Sequence, residues 1–178
     1  WLQDMIVFAL NTGMRRGEIL NLQWQAIDLT RQVLVVMRSK NGEKRTVPLN
    51  GRITELLQRK ASKKSTGSFV FTSSAETLCD ARNLTRAFRL AAKKAELSDF
   101  RFHDLRHTFA TRLAQAGVDL YKVQRLLGHK TAAMTQRYAH HSPESLRDGV
   151  LILERLHPQI SQNYHNEGES VGECCASA

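Results

Sequence analysis

The chain of 178 residues is long enough for one domain with a buried core, or for one domain and a tail. Hydrophobic residues make up 42% of it, but its apolar runs are too short for a membrane span of about 20 residues. Its three cysteines are too few for a disulfide framework and lack metal-site spacing, which favours a reducing, intracellular setting. Because the chain begins with Trp1 and carries no secretion signal, we expect it to be part of a longer protein.

The positive charge is concentrated in the first 156 residues. The formal net charge is +9, but all 26 Lys and Arg residues precede residue 157, whereas three of the 17 Asp and Glu residues follow it. Residues 1–156 therefore carry +12. Such an excess favours a polyanionic partner, with nucleic acid ahead of an anionic membrane surface, although solubility alone would also explain it.

The spacing of apolar residues predicts a helix and then a small sheet in the first 49 residues. Four apolar side chains between residues 5 and 10 share one helical face, and Gly13 can adopt the positive φ that closes a helix. Between residues 26 and 49 the period changes to that of strands, with a β-branched run at 33–37 and an Asn41-Gly42 turn. We predict a small antiparallel sheet in this segment.

Helical spacing dominates the rest of the chain. Asp80 is placed to cap a helix, and Gly117 and Gly128 are placed to end the two helices that follow. We predict that the helix after Asp80 turns these side chains inward: Leu84, Phe88, Ala91 and Ala95.

The last part of the predicted domain holds two more helices. Thr131 is placed to cap a short helix through Tyr138, and Ser142-Pro143 predicts the start of a helix to about Leu156. Residues 157–178 are rich in Asn, Gly, Ser and Glu, which predicts a polar, flexible tail. The fold class is therefore mostly α with a small antiparallel β-sheet.

Motifs for nucleotide hydrolysis and for metal binding are weak or missing. The sequence contains no GxxxxGK[ST] phosphate loop. His103 and His107 are four residues apart, as on a zinc-binding helix, but the usual Glu after the first His is replaced by Asp104. We therefore expect neither a metal nor another cofactor.

Cationic and imidazole side chains instead occupy predicted turns and helix starts. Arg15 begins a helix, Lys40 precedes the Asn-Gly turn, and His129 follows the Gly128 helix stop. His103 and Arg106 share one helical face three residues apart. Each residue alone is ordinary in a basic protein, where arginines are mostly solvated and a single histidine is mostly structural.

Taken in order, these residues resemble the catalytic domain of the tyrosine recombinases, the phage integrase and Xer-like family. The resemblance covers residues 1–156 and rests on four separate motifs. These are TGMRRGEI at 12–19, Lys40 ahead of KRTVPL at 44–49, HDLRHTFAT at 103–111, and LLGH at 126–129 with Tyr138 nine residues after its His.

The resemblance implies the residues of an active site. The two catalytic arginines would be Arg15 and Arg106, the hairpin lysine Lys40, the two histidines His103 and His129, and the nucleophile Tyr138. His103 would be the base and Lys40 the acid for the leaving 5′-hydroxyl, whereas His107 is interpreted as structural. Further DNA contacts are predicted at Arg16, Lys44, Arg45 and Lys130.

This assignment agrees with phosphodiester chemistry. A phosphodiester gains negative charge as a nucleophile attacks, and a guanidinium fork suits two phosphate oxygens. A tyrosine hydroxyl, with a pKa of about 10, needs a base or electrostatic help. The implied activity is site-specific cleavage and rejoining of DNA through a 3′-phosphotyrosyl intermediate, for integration or excision.

Two alternatives remain open. A protein that only binds DNA would use the same cationic groups as phosphate contacts, and a type IB topoisomerase would share the phosphotyrosine chemistry. The resemblance further implies a double-stranded DNA site as partner, a missing N-terminal core-binding domain, a homotetramer on DNA, no membrane association, and a place in the bacterial cytoplasm with the nucleoid. The sequence does not identify the attachment site.

Overall fold

A computed structural model describes residues 1–37, 44–62, 67–73, 77–141 and 151–152. The chain divides into two units, Trp1–His141 and Ser142–Ala178, and of the second only 151–152 are described, as exposed and helical. The described helices are α1 (Leu2–Thr12), α2 (Arg16–Leu20), α3 (Gly51–Ser62), α4 (Ala81–Lys94), α5 (Asp104–Gln115), α6 (Leu120–Leu127) and α7 (Ala133–Gln136), and the strands are β1 (Ile27–Asp28), β2 (Val33–Val36) and β3 (Arg45–Pro48).

The sheet lies where the sequence predicts it. Its order is β1-β2-β3 and both pairings are antiparallel, with Leu34 opposite Ile27 on one side and Val47 on the other. Leu34 and Val47 are buried, so one face of the sheet packs on the core. The predicted Asn41-Gly42 turn and Lys40 lie outside the described residues.

Helix α1 ends at Gly13, as predicted. Gly13 has a φ of 60°, and its N–H donates to the Ala9 carbonyl at 3.0 Å. A Cβ at this position would lie 2.4 Å from Cδ1 of Phe109 on α5, so glycine allows both the left-handed turn and the close approach of the two segments. This contact places the end of α1 against α5.

Helix α4 begins at its predicted cap but buries a slightly different face. Oδ2 of Asp80 accepts hydrogen bonds from the backbone N–H groups of Arg82 and Asn83, a cap worth about 1 kcal/mol. Leu84 and Phe88 are buried as predicted. The last turn buries Ala92, whereas Ala95 is exposed, because the helix ends at Lys94 and the i+11 position falls outside it.

Tyr138 does not lie in a helix, contrary to prediction. Helix α7 covers only Ala133–Gln136, and its N-cap is Ala132 rather than Thr131. Tyr138 sits in the turn between α7 and a short 3-10 helix, Ala139–His141. The predicted helix from Ser142 falls outside the described residues apart from 151–152.

Two clusters of buried apolar side chains form the core. The larger joins α1, the sheet, α3 and α4 around residues such as Phe8 and Phe71, whose rings meet edge to face at 5.1 Å. The smaller cluster lies between α5 and α6 and includes the ring of Tyr138: Phe109, Ala110, Ala114, Val123, Leu127 and Tyr138. The fold therefore anchors the predicted nucleophile in a packed environment beside the predicted catalytic helix α5.

Candidate active site

Arg106 is the most constrained of the predicted site residues. It is 4% exposed, and its Nη1 and Nη2 atoms each donate a hydrogen bond of 2.6 Å, to the carbonyls of Gly13 and Leu127. Burial and the charge of Arg15 lower its pKa to about 10, so the guanidinium remains protonated near neutral pH. The two carbonyls carry no formal charge, so these contacts hold the cation without neutralising it.

Arg15 is the more exposed arginine. It is the N-cap of α2, and 37% of its side chain is exposed. Its Nη1 pairs with Glu18 at 3.1 Å, and its Nη2 donates to the carbonyl of Gly128 at 3.4 Å. Arg15 and Arg106 thus bond to consecutive carbonyls, those of Gly128 and Leu127, where α6 ends. The left-handed turn at Gly128, with a φ of 64°, presents both carbonyls.

Arg45, which the sequence predicts as a DNA contact, is mostly buried and bonds to the protein itself. Its side chain is 11% exposed and makes a two-pronged ion pair with Glu18, with distances of 2.7 and 2.9 Å. Its Nε donates to the carbonyl of Leu126 at 3.1 Å. These bonds turn the guanidinium towards the protein and tie β3 to α2 and α6.

Glu18 is shared by the two arginines. Burial raises the pKa of a carboxyl, but the hydrogen bond and charge of Arg45, followed by the backbone hydrogen bond and charge of Arg15, lower the pKa of Glu18 to about 2. The carboxylate is therefore ionised at neutral pH. The sequence motif contains Glu18, but nothing in its spacing identifies Arg45 as the partner.

His129 follows the Gly128 turn, as predicted, and has a fixed ring. Its Nδ1 lies 2.9 Å from Oγ1 of Thr135, a buried residue on α7. Burial, then the charges of Arg106 and Arg15, lower the pKa of His129 to about 4, so the imidazole is neutral near pH 7. When the hydroxyl of Thr135 donates to Nδ1, the N–H of Nε2 is the free donor that a phosphate oxygen needs.

His103 is the N-cap of helix α5, and His107 lies in its first turn. Their rings meet edge to face with centroids 5.0 Å apart. Burial and the charge of Arg106 lower the pKa of His103, and burial and the charge of His103 lower that of His107. Both imidazoles are therefore neutral at pH 7.

The hydroxyl of Tyr138 lies 2.7 Å from Nδ1 of His107. Tyr138 is 4% exposed, and the guanidinium carbon of Arg137 lies 6.0 Å from the centre of its ring. Burial raises the pKa of Tyr138, against the charges of Arg137 and Arg106. Sequence reasoning missed the contact with His107, although the position of His107 one turn after His103 places both histidines on the same face of α5.

The structure brings five of the six predicted catalytic residues into one electrostatic environment. After burial, the charge of Arg106 lowers the pKa of His103 and His129 and opposes the rise in the pKa of Tyr138, and Arg15 lowers the pKa of Arg106. The sixth, Lys40, is outside the described residues.

The other predicted DNA contacts lie at the surface. Lys44 and Lys130 are exposed, and Nη1 of Arg16 donates to Oγ1 of Thr85 at 2.9 Å. In the described part of the chain, no three His, Cys, Asp or Glu side chains are grouped as a metal site. No helix in that part is long and apolar enough to cross a membrane.

Comparison with known proteins decides the family. The sequence profile of the phage integrase family matches residues 1–145. The chain belongs to the phage integrase family. It is 33% identical over 182 residues to the integrase of Salmonella phage P22, covering 94% of this chain and 47% of that integrase. It is 34% identical over 147 residues to the tyrosine recombinase XerA of Saccharolobus solfataricus, covering 83% of this chain and 48% of that protein.

Solved structures agree with this membership. The Tn1549 transposon integrase in complex with a circular intermediate DNA has a TM-score of 0.70 and 25% identity, covering 83% of this chain and 57% of that one. A lambda integrase dimer bound to a COC' core site has a TM-score of 0.66 and 28% identity, covering 81% and 43%. The predicted fold of a tyrosine recombinase catalytic domain is confirmed. This phage integrase family chain spans about half the length of the relatives it matches.

Proposed function

We propose that the chain is the catalytic domain of a site-specific DNA recombinase that cleaves and rejoins strands through Tyr138. The observation that carries the proposal is the relation between Arg106 and Tyr138. Arg106 is charged, buried and held by neutral carbonyls, and it lies close enough to Tyr138 for each to shift the pKa of the other. A fixed cation beside a hydroxyl nucleophile suits attack on a phosphodiester.

Double-stranded DNA is the proposed substrate. A groove of about 1110 Å³ opens beside His103, and its walls carry more basic side chains than acidic ones, which are Glu96 and Asp99. The net charge of residues 1–156 favours the same polyanion. The similar Tn1549 transposon integrase is in complex with a circular intermediate DNA, and the lambda integrase dimer is bound to a COC' core site. The basic groove residues are Arg15, Arg16, Arg89, Lys93 and Arg101.

In the proposed reaction the Tyr138 oxygen attacks phosphorus and the bond to the 5′-oxygen breaks. Arg15 and Arg106 bind the non-bridging oxygens, whose negative charge grows in the transition state, and His129 donates a hydrogen bond to one of them. Lys40 protonates the departing 5′-oxygen, as the family resemblance implies. The phosphotyrosyl bond retains the energy of the broken diester, so a 5′-hydroxyl of another strand can reseal it without ATP.

The proposal for the whole protein extends beyond the described residues. A DNA-binding domain preceding residue 1, a homotetramer on the recombination site, and action in the bacterial cytoplasm are part of it. We assign residues 1–156 to the catalytic domain and residues 157–178 to the tail.

A plasmid assay tests the function against both alternatives. The recombination site is first selected from a randomised DNA library by the full-length protein, and two copies are placed in a supercoiled plasmid. A recombinase produces the deleted circle in wild type and in Tyr121→Phe, an exposed tyrosine on α6, but not in Tyr138→Phe. Relaxation without deletion would support a topoisomerase, and binding without either product would support a protein that only binds DNA.

A further inference from the structure

The hydrogen bond between His107 and Tyr138 joins two distant parts of the chain at the reacting atom. His107 lies on α5, next to Arg106, and Tyr138 lies 31 residues later in the turn after α7. The donor and acceptor are 2.7 Å apart, within the range for a proton transferred directly between heavy atoms. The ring of His103 also meets that of His107, edge to face, with centroids 5.0 Å apart.

We propose that His107 is a catalytic residue that accepts the proton of Tyr138 during cleavage and returns it during rejoining. This assigns to His107 the role that the family resemblance gave to His103. The inference rests on the proposed function, because it specifies how Tyr138 is activated for attack on DNA.

The proton balance of the step is simple. Neutral His107 carries its proton on Nε2 and accepts the hydroxyl hydrogen on Nδ1 as the Tyr138 oxygen bonds to phosphorus. His107 becomes an imidazolium, and the 5′-oxygen leaves with a proton from the general acid. In rejoining, the incoming 5′-hydroxyl gives up its proton to that acid's conjugate base, and the departing Tyr138 oxygen recovers its own proton from His107.

The surroundings of His107 keep its imidazole in the neutral form, which can accept a proton. Burial, then the charges of His103, Arg137 and Arg106, lower its pKa from 6.5, whereas Asp104 raises it. A phosphate drawn to the arginines would offset part of that cationic field, so the imidazole becomes more basic as the substrate arrives. The proton acceptor is thus neutral before DNA binds and better suited to hold a proton afterwards.

Substitutions of His107 test whether this residue accepts a proton or only makes a structural contact. His107→Asn keeps an oxygen acceptor near the position of Nδ1 but removes its basicity, and His107→Phe removes the acceptor. We expect both variants of the full-length protein to lose about 10²-fold or more in the single-turnover rate of covalent adduct formation, the usual contribution of general base catalysis. The probe is a nicked duplex carrying the selected site, and its binding is expected to remain within about twofold.

The pH profile distinguishes His107 from His103. Wild-type cleavage is expected to fall as the pH is lowered and His107 becomes protonated. His103→Asn is expected to keep this fall, whereas the slow residual reaction of His107→Asn loses it. A fall that persists in His107→Asn and disappears in His103→Asn would overturn the proposal in favour of His103.

Two further results with the His107 variants would overturn the inference. Wild-type rates in His107→Asn would show a structural hydrogen bond, and faster cleavage in His107→Phe would show that His107 restrains the nucleophile; both overturn the proposal. No adduct in the wild type would instead mean that the proposed function itself fails. A ¹⁵N spectrum of the free protein is a separate check, because the proposal requires an unprotonated Nδ1 on His107 and a protonated Nδ1 would contradict it.

Discussion

The carboxylate of Glu18 and the guanidinium of Arg45 form a two-pronged ion pair, with distances of 2.7 and 2.9 Å, and Glu18 also pairs with the more exposed Arg15. The pair connects the first motif of the sequence, which begins α2, to the strand β3 of the second. Its guanidinium also holds the carbonyl of Leu126, two residues before the Gly128 turn. Arg45 therefore supports the site by holding Glu18 and the end of α6 in place.

Removing the charge of Glu18 is expected to destabilise the domain. Glu18→Gln leaves Arg15 and Arg45 without their shared carboxylate, and loss of one partner of a buried ion pair costs about 3 kcal/mol. Urea unfolding of the variant measures the loss. Glu55→Gln, an exposed glutamate on α3, is the matched control and is expected to change stability by less than about 0.5 kcal/mol.

The same carboxylate predicts a pH dependence of stability. The pKa of Glu18 is about 2 in the folded chain and 4.5 ordinarily, so its contribution is complete above pH 4.5 and is lost as the pH falls towards 2. Wild type is therefore expected to lose more of its free energy of unfolding in this interval than Glu18→Gln does. Equal losses in both proteins would contradict the ion pair's assigned role.

Gly13→Ala is expected to destabilise the domain at the point where the Gly13 carbonyl holds Arg106. A left-handed φ costs a residue with a Cβ about 1–2 kcal/mol, and here the added carbon would also overlap the Phe109 ring. Gly117→Ala is the matched control, because Gly117 has a φ of 75° but open space around it. Thermal or urea unfolding that gives the two variants equal losses would argue against the close contact of α1 with α5.

Thr135 is expected to position His129. Thr135→Val keeps the shape of this buried side chain and removes the oxygen beside Nδ1, so the imidazole can rotate or change tautomer. We expect a loss of about tenfold in cleavage rate with DNA binding unchanged, of the size found when a supporting hydrogen bond is lost. Thr54→Val, a buried threonine on α3, is the control and should cleave normally.

The sequence predicted those features whose causes lie within a few neighbouring residues. Asp80 and Gly128 act on their own helix ends through side-chain capping or a positive φ, so the residue type and position suffice. The sheet also follows from a change of period over neighbouring residues. The turn that carries Tyr138 is different, because burial against α5 and α6 overrides the weak helical pattern of residues 131–138.

The partners of the site residues could not be predicted in the same way. The motifs place Arg106, His129 and Tyr138 in the right order, but the bonds of Arg106 to Gly13 and Leu127 join residues 93 and 21 positions away. The sequence predicts Arg45 as a DNA contact, whereas in the structure its guanidinium pairs with Glu18 on α2, 27 positions earlier in the chain.

Lys40 is testable through the leaving group that it is proposed to protonate. Lys40→Ala is expected to slow cleavage of an ordinary phosphodiester by about 10²–10⁴-fold. A bridging 5′-phosphorothiolate leaves as a thiolate that needs no proton, so the variant is expected to cleave it at nearly the wild-type rate. Lys122→Ala, an exposed lysine on α6, should behave as wild type with both substrates. A defect of equal size on both substrates would exclude Lys40 as the general acid.

The most direct test of the account is the identity of the residue that becomes bonded to DNA. Full-length protein is incubated with a nicked duplex of the selected site, the covalent complex is isolated under denaturing conditions, and the modified peptide is sequenced by mass spectrometry. We expect a nucleotide on Tyr138, joined through a 3′-phosphate, and no complex in Tyr138→Phe. A nucleotide on Tyr121 or Tyr164, or an undiminished complex in Tyr138→Phe, would contradict the assigned active site.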